Sequence, residues 1–265
     1  MAKSLLPKTI KALEEFKENL LNYKNYDEIA DISFPTNLYL TIFDEIYQIV
    51  RLEYIKVREP YFAPEPDVNY DKSNVDYFYS HEDIKAFHHI RAEIVIISSM
   101  HTQIMLDILK ADIKEAKKDS ILFSDFLRNL SLKSYEPNNP KYLLLAFDFA
   151  LRQGRAAAKW QNIQVQKDIY PFLKYTLSEN CRLNHKEVGL DGIVRKIDDP
   201  FWDKFYPPNN LMCSCCVKQL TQMEAENKNF DIQIDENMFN ISEDFQRNVG
   251  KDFTIFCDFI DELFP

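Results

Sequence analysis

The sequence predicts a mainly helical protein with a small α+β knuckle towards its C-terminal end. Through most of the first 170 residues, apolar side chains recur at helical spacing. Only 4 of the 265 residues are glycine, which favours helices joined by proline- and asparagine-containing loops over chains of tight turns. Beyond residue 170, short apolar runs alternate with Asp, Gly, Pro and Asn, as they do between strands.

Five helices are predicted before the knuckle, and local signals mark where several of them begin. Pro35 and Pro140 suit the first turn of a helix, and Ser80 with Asp83 resembles a capping box. The predicted helices span 8–24, 34–58, 82–118, 120–130 and 140–168. The predicted strands span 172–178, 192–197 and 215–220. After a polar, acidic stretch at 221–238, we expect a short turn from Ser242 to Val249 and a last helix at 253–263.

Composition shifts divide the chain into five predicted parts. They are an N-terminal helical arm (1–60), a linker rich in proline and aromatic residues (61–82), a helical body (83–169), the knuckle (170–220), and an acidic C-terminal tail with a terminal helix (221–265).

Charge and composition narrow the functional class. A net charge of −10 argues against a sequence-independent nucleic-acid surface, which needs clustered Lys and Arg, and favours protein partners. We expect no membrane span, since no run of eighteen residues is wholly apolar. The first residues lack the apolar core of a secretory signal, so a reducing cytoplasm is expected. There, 5 cysteines suit a metal site or free thiols better than disulfides.

The strongest chemical pattern is a predicted metal site in the knuckle. Cys181 and His185 form one short-range pair, and Cys213 and Cys215 form a second, with Cys216 as an alternative ligand. Zinc takes four such ligands, and four protein ligands leave no open position for water, so a bound Zn²⁺ would be structural. The alternative is that the cysteines are small buried residues and His185 bonds a turn.

Three other groups of residues could carry chemistry, and for each a structural role is favoured. An acidic cluster near His185 and Glu187 would suit acid–base or divalent-metal chemistry, but its aspartates also suit turns. A small-residue helix face flanked by two arginines would bind an anion or simply pack tightly. Three histidines are interpreted as structural or exposed. The groups are Asp191, Asp198, Asp199 and Asp203; Ala150, Gly154, Ala157 and Ala158 with Arg152 and Arg155; and His88, His89 and His101.

Seven short motifs follow one another in order between residues 150 and 217. They comprise a small-residue helix end, an aromatic strand, an Arg-x-x-His turn, a Leu-x-Gly, an Asp-Pro-x-Trp, a Pro-Pro-Asn and a Cys-x-Cys before an apolar strand. Their residues are Ala150, Gly154 and Arg155; Pro171 and Tyr175; Arg182 and His185; Leu190 and Gly192; Asp199, Pro200 and Trp202; Pro207, Pro208 and Asn209; and Cys213 and Cys215, followed by Val217. In this order they resemble the phage Mu F-like head morphogenesis family, also described as minor capsid or portal-associated proteins.

Some positions depart from the family pattern. Leu144-Leu145 stands where an Arg-Thr pair is common, Asn180 where Asp is common, and Ser214 where the family often has Arg. Farther along, the stretch from Asp244 to Gly250 resembles a Phe-x-x-Asn-Pro-Gly element of such proteins. The departures count against a catalytic or anion-binding role of the module and leave a structural role intact.

The resemblance implies a phage or prophage minor head protein that acts by recognition, with no catalytic residue. It implies capsid or portal proteins as partners, weak contact with DNA, and a role in virion assembly and DNA packaging or ejection. The implied location is the host cytoplasm during assembly and then the virion interior near the portal. Two alternatives stay open: a metal-dependent hydrolase or nuclease using His185 and nearby aspartates, and a toxin-delivery module.

Overall fold

The computed structural model describes residues 6–58, 79–133, 141–178, 189–226, 239 and 241–253, with the side chains of 130–133 and 141–145 excepted. Within these ranges it confirms the predicted fold class. Helices dominate, and the strands form one small antiparallel sheet near the C-terminal end.

Helices occupy most of the described chain before the knuckle and return in short pieces after it. They are α1 Pro7–Leu20, α2 Tyr26–Ala30, α3 Thr36–Arg58, α4 His81–Lys118, α5 Phe123–Lys133, α6 Lys141–Gln166, α7 Phe201–Phe205, α8 Gln222–Glu226 and α9 Val249–Asp252, with a 3₁₀ turn at Glu243–Phe245. The predicted helix at 253–263 lies almost wholly outside the described residues.

Side-chain caps explain where several helices begin. Asn25 accepts hydrogen bonds from the amides of Asp27 and Glu28 at the start of α2. Before α4, the Ser80 hydroxyl accepts from the Asp83 amide, and Asp83 accepts in return from the Ser80 amide at 3.0 Å. The capping box predicted there is therefore present. Each cap satisfies amides that a helix leaves without partners in its first turn.

The sheet has three strands in the order β2-β1-β3, where β1 is Phe172–Thr176, β2 is Val194–Lys196 and β3 is Cys216–Leu220. Both neighbours run antiparallel to β1. Phe172 lies opposite Lys196 on one side and Leu220 on the other. Because opposed residues share a face, one face carries the apolar cluster Phe172, Val194 and Leu220, which packs with Ala225 of α8.

The chain forms two compact units, each assembled from separated segments. Unit 1 comprises Met1–Ile49, Ala92–Phe147 and Ile260–Pro265, and unit 2 comprises Val50–Arg91 and Asp148–Phe259. Helices α3, α4 and α6 each supply residues to both units. One core cluster of unit 1 consists of Leu20, Ile29, Leu109, Ile113, Ala116 and Phe126. Unit 2 contains the sheet. The five predicted sequence blocks stay a prediction.

Helix α4 is the one described helix whose length and composition would suit a membrane crossing. Its most apolar window of 18 residues has a mean hydropathy of 1.3, and 33% of that window is buried. The core helix of a soluble protein passes the same test, so this is a weak indication, and the expected absence of a membrane span stays a prediction.

Candidate functional site

Tyr175 and Asn209 form the centre of the knuckle. Tyr175 lies on the buried face of β1, and its hydroxyl donates to Asn209 Oδ1 at 2.9 Å. The Asn209 amide donates to the carbonyls of Tyr206 and Phe245, each at 3.3 Å. Asn209 is 2% exposed, so its amide satisfies polar groups that water does not reach. One side chain thereby joins β1, the loop after α7 and the segment near residue 245.

Trp202 fills the knuckle from the first turn of α7. Asp199 begins that turn by accepting from the Phe201 amide at 2.8 Å. Trp202 is fully buried, and its indole N–H donates to the Lys196 carbonyl at 2.9 Å. The Asp-Pro-x-Trp motif therefore works as a turn followed by a buried anchor.

Residues 241–253, here called the closing segment, pack on this core. Asn248 donates to the Trp202 carbonyl at 3.0 Å and accepts from the Gly250 amide at 2.9 Å. A methyl group at Gly250 would come within 2.1 Å of Trp160 Cβ, so this position requires glycine. The stretch that resembles the Phe-x-x-Asn-Pro-Gly element thus docks on residues of the earlier motifs.

The small-residue face of α6 is a packing surface. A methyl group at Gly154 would lie 3.1 Å from Val50 Cγ1 of α3. Arg155 donates from two nitrogens to Glu53, and Arg152 pairs with Asp148 at 3.0 Å and donates to the Leu211 carbonyl. Both arginines thus bind groups of the protein itself, which fits the packing interpretation of this face rather than an anion site.

A buried polar network joins α3, α4 and α6, and no sequence pattern predicts its contacts between the helices. Arg58 donates to both carboxylate oxygens of Asp83, at 2.8 and 3.0 Å, and to Asn162. The Tyr54 hydroxyl donates to Asp83 at 2.8 Å. Arg58 is 5% exposed, and Asp83 and Tyr54 are fully buried.

The partners of Asp83 keep it ionised. Burial alone would raise the pKa of Asp83, but hydrogen bonds from Arg58, Ser80 and Tyr54 outweigh burial and hold the pKa below its usual range. Burial and the neighbouring Asp83 carboxylate raise the pKa of Tyr54, which keeps its hydroxyl neutral. A charged pair this deep is stable only with its hydrogen bonds complete.

Two of the predicted metal ligands meet in the structure. Cys213 and Cys215 are buried free thiols, whereas Cys216 is exposed. Burial, and then the adjacent thiols of Cys213 and Cys215, raise the pKa of Tyr175, since both sulfurs lie within hydrogen-bonding reach of its hydroxyl. The predicted ligands Cys181 and His185 lie outside the described residues, as does Arg182.

The described aspartates of the acidic cluster have separate structural partners. Asp191 accepts from the Leu177 amide at 3.1 Å, Asp198 lies 3.9 Å from Lys167, and Asp203 pairs with Lys251. In the part of the chain that the structure describes, no three His, Cys, Asp or Glu side chains are grouped to hold a metal. His185 and Glu187 are outside that part.

The three histidines lie on α4. His88 and His89 are exposed, and the His89 ring lies 6.2 Å from that of Phe253. Burial lowers the pKa of His101 to about 4, so this imidazole is neutral at physiological pH.

The motif residues that the structure describes are therefore used internally, as anchors, caps and hydrogen-bond partners. Among the remaining motif positions, Gly192 has a φ of +82°, and Pro207-Pro208 is a cis peptide bond. The left-handed backbone at Gly192 explains the glycine in Leu-x-Gly. Such an arrangement can present a rigid surface to another macromolecule.

Comparison with known proteins confirms the resemblance to Mu F-like proteins. The chain is 28% identical over 102 residues to the putative capsid assembly protein F of Escherichia phage Mu. The aligned region is 38% of this chain and 23% of that protein. It is 28% identical over 83 residues to the Mu-like prophage FluMu F protein of Haemophilus influenzae, 31% of this chain and 19% of that protein. The matches thus span less than a quarter of the length of these relatives. No family model matches the chain, and no solved structure matches it significantly.

Proposed function

We propose that this chain acts in phage or prophage capsid assembly as a minor head protein. The observation that carries the proposal is its similarity to the putative capsid assembly protein F of phage Mu. The knuckle supports it, because the described motif residues form a buried, hydrogen-bonded core, as expected of a protein that works by recognition. The partners in this proposal are capsid or portal proteins, with weak DNA contact during packaging or ejection.

The site of action that we propose is the head. The protein would be made in the host cytoplasm, join the assembling head and remain inside the virion near the portal. Among the described residues, nothing assembles a site for the hydrolase or nuclease alternative. No observation favours toxin delivery.

Deletion of the gene from the phage or prophage that encodes the chain tests this function. We expect few or defective heads, rescue by the wild-type gene supplied in trans, and the chain itself in purified heads by mass spectrometry. Normal heads from the deletion strain, with the chain absent from heads of the parent, would overturn the proposal.

We also propose a structural Zn²⁺ held by Cys181, His185, Cys213 and Cys215. The two described thiols, of Cys213 and Cys215, support this site, because they are buried and both face the Tyr175 hydroxyl. They lie next to a small sheet, which a bound Zn²⁺ would stabilise. Cys216 is exposed and stays the alternative ligand.

Elemental analysis of protein purified without chelator tests the metal. We expect about one Zn²⁺ per chain, the number that one four-ligand site holds. In Cys181→Ser and Cys213→Ser the metal and thermal stability should be lost together, while Cys216→Ser should keep both. A metal-free wild-type protein would remove the site.

A further inference from the structure

The described chain ends on one face of α4. Its last residue, Phe253, is 1% exposed, and the centroid of its ring lies 5.7 Å from the Lys85 ammonium and 6.2 Å from that of the His89 ring. Phe253 ends α9 with a φ of +60°, a left-handed backbone that bulky residues rarely adopt. Residues 254–265 therefore leave the described structure from a ring that is anchored on α4.

The face that holds Phe253 continues along α4 as an apolar surface. Residues three or four apart share a helix face, and from His89 such steps lead to Ala92, Ile96 and Met100, here called the apolar stripe. Ala92 is exposed, Ile96 is 47% exposed and Met100 is half-buried. Farther along the same face, Gln103 is exposed and polar. The apolar stripe thus begins beside the ring of Phe253 and ends before Gln103.

The sequence after Phe253 has the pattern of a helix that packs on such a surface. Between 254 and 265, apolar side chains recur at helical spacing, and the acidic side chains fall on the opposite side of the same helix. The apolar residues are Phe256, Phe259, Ile260 and Leu263, and the acids are Asp258, Asp261 and Glu262. A helix this short is only marginally stable alone in water, so it needs a surface to pack on.

Starting point and length select this segment as the occupant of the stripe. A helix of residues 254–265 would extend about 18 Å, and the α4 face from His89 to Met100 extends about 17 Å. The segment starts beside His89, where the ring of Phe253 already lies. Because it is covalently tethered there, its effective concentration at the stripe is roughly millimolar, which a separate molecule would have to match.

We propose that residues 254–265 dock as an amphipathic helix on the apolar stripe of α4. Phe253 makes the first contact, and the apolar face of the segment covers Ile96 and Met100. The acidic face then points to solvent. In this state the chain shields its own apolar surface from association with other molecules. The proposal does not depend on the role in capsid assembly.

Hydrogen exchange of the full-length chain, followed by mass spectrometry of peptides from residues 254–265, tests the proposal. In wild type these amides should exchange at least about tenfold more slowly than in an unstructured segment. Ile96→Asp places a charge under the docked helix and should speed their exchange about tenfold. The matched control is Ile108→Asp. Ile108 is 49% exposed on the same helix but lies about 120° around its axis, so this variant should exchange like wild type.

A second pair of variants probes the contact from the segment. Phe259→Asp should release the segment as Ile96→Asp does, whereas Thr254→Asp adds the same charge outside the apolar face and should not. If Phe259 and Ile96 belong to one contact, the double variant should exchange no faster than the faster single variant. Unchanged exchange in peptides from α6 shows that the variants remain folded.

Three results would overturn the proposal. The first is a wild-type segment that exchanges at the rate of an unstructured peptide. The second is equal acceleration by Ile96→Asp and Ile108→Asp, which is a general effect of charge on α4. The third is protection that falls when the protein is diluted, because the segment would then dock on a second copy of the chain.

Discussion

At the level of single residues, Asn209 joins more of the knuckle than any local pattern suggests. Its side chain accepts from Tyr175 and donates to the carbonyls of Tyr206 and Phe245. The neighbouring Asn210 makes one exposed contact, to the Met212 amide. Two adjacent asparagines therefore have very different energetic roles.

Replacing Asn209 by alanine should destabilise the protein strongly. The change leaves a buried hydroxyl and two carbonyls without their partner, and an unsatisfied buried group costs about 1–3 kcal/mol. We expect a loss of about 2–4 kcal/mol in the free energy of unfolding, measured by urea denaturation. Asn210→Ala is the control and should lose less than about 1 kcal/mol. Equal losses in the two variants would contradict the assigned role.

Gly250 is constrained by contact, since its backbone lies against Trp160. Gly250→Ala should displace the closing segment and cost about 1–3 kcal/mol, the usual range for overpacking. We expect faster limited proteolysis within residues 241–253 and a red-shifted tryptophan emission. Gly154→Ala, where the added methyl group meets Val50 at 3.1 Å, should have a smaller effect and serves for comparison.

At the level of secondary-structure elements, the ion pair between Arg58 and Asp83 fastens the end of α3 to the start of α4. Asp83→Asn removes the charge that Arg58 needs. Since breaking a buried pair costs about 3–5 kcal/mol, we expect a loss in that range. Glu53→Gln breaks the more exposed pair with Arg155 and should cost about 1 kcal/mol or less. Urea denaturation of both variants measures the difference.

The same pair predicts a pH dependence. The pKa of Asp83 is lower in the folded than in the unfolded protein, so its stabilisation is complete above the ordinary Asp value of about 3.9. That stabilisation is lost as pH falls through the lower folded pKa. Wild type should therefore lose more stability than Asp83→Asn between neutral pH and about pH 2. If the two proteins lost stability equally as the pH falls, Asp83 would not contribute to the pH dependence.

Sequence patterns located the larger elements well, because periodicity and caps are local. The predicted strands at 172–178, 192–197 and 215–220 lie within two residues of β1, β2 and β3 at each end. The sequence patterns do not predict the five-residue helices α2, α7 and α8, because a helix of one and a half turns is too short to show a helical spacing of apolar side chains.

The internal architecture of the site was less predictable. The motif residues were found from the sequence as an ordered series, but not their mutual hydrogen bonds. Tyr175 meets Asn209 across 34 positions, and Arg58 meets Asn162 across 104. Partners so distant depend on how whole helices pack, and one chain gives no local signal of that.

At the level of the whole molecule, three helices run through both compact units. Helices α3, α4 and α6 belong partly to each unit, so unfolding one unit should unwind helices of the other. We therefore expect a single thermal transition. Tryptophan fluorescence reports on unit 2, because Trp160 and Trp202, the chain's 2 tryptophans, both belong to it. Far-ultraviolet circular dichroism reports on the helices of both units. Midpoints that differ between these two signals would show that the units unfold separately.

The ammonium group of Lys159 also protects the sheet against self-association. The Tyr175 amide bonds the Ile193 carbonyl on the β2 side, so the opposite residue, Val217, turns its backbone groups to the open edge of β3. There the Val217 carbonyl accepts from Lys159. An edge strand with free carbonyls invites pairing with another chain, and a lysine at that position blocks it. Neighbouring copies of the chain can then sit side by side without fusing their sheets.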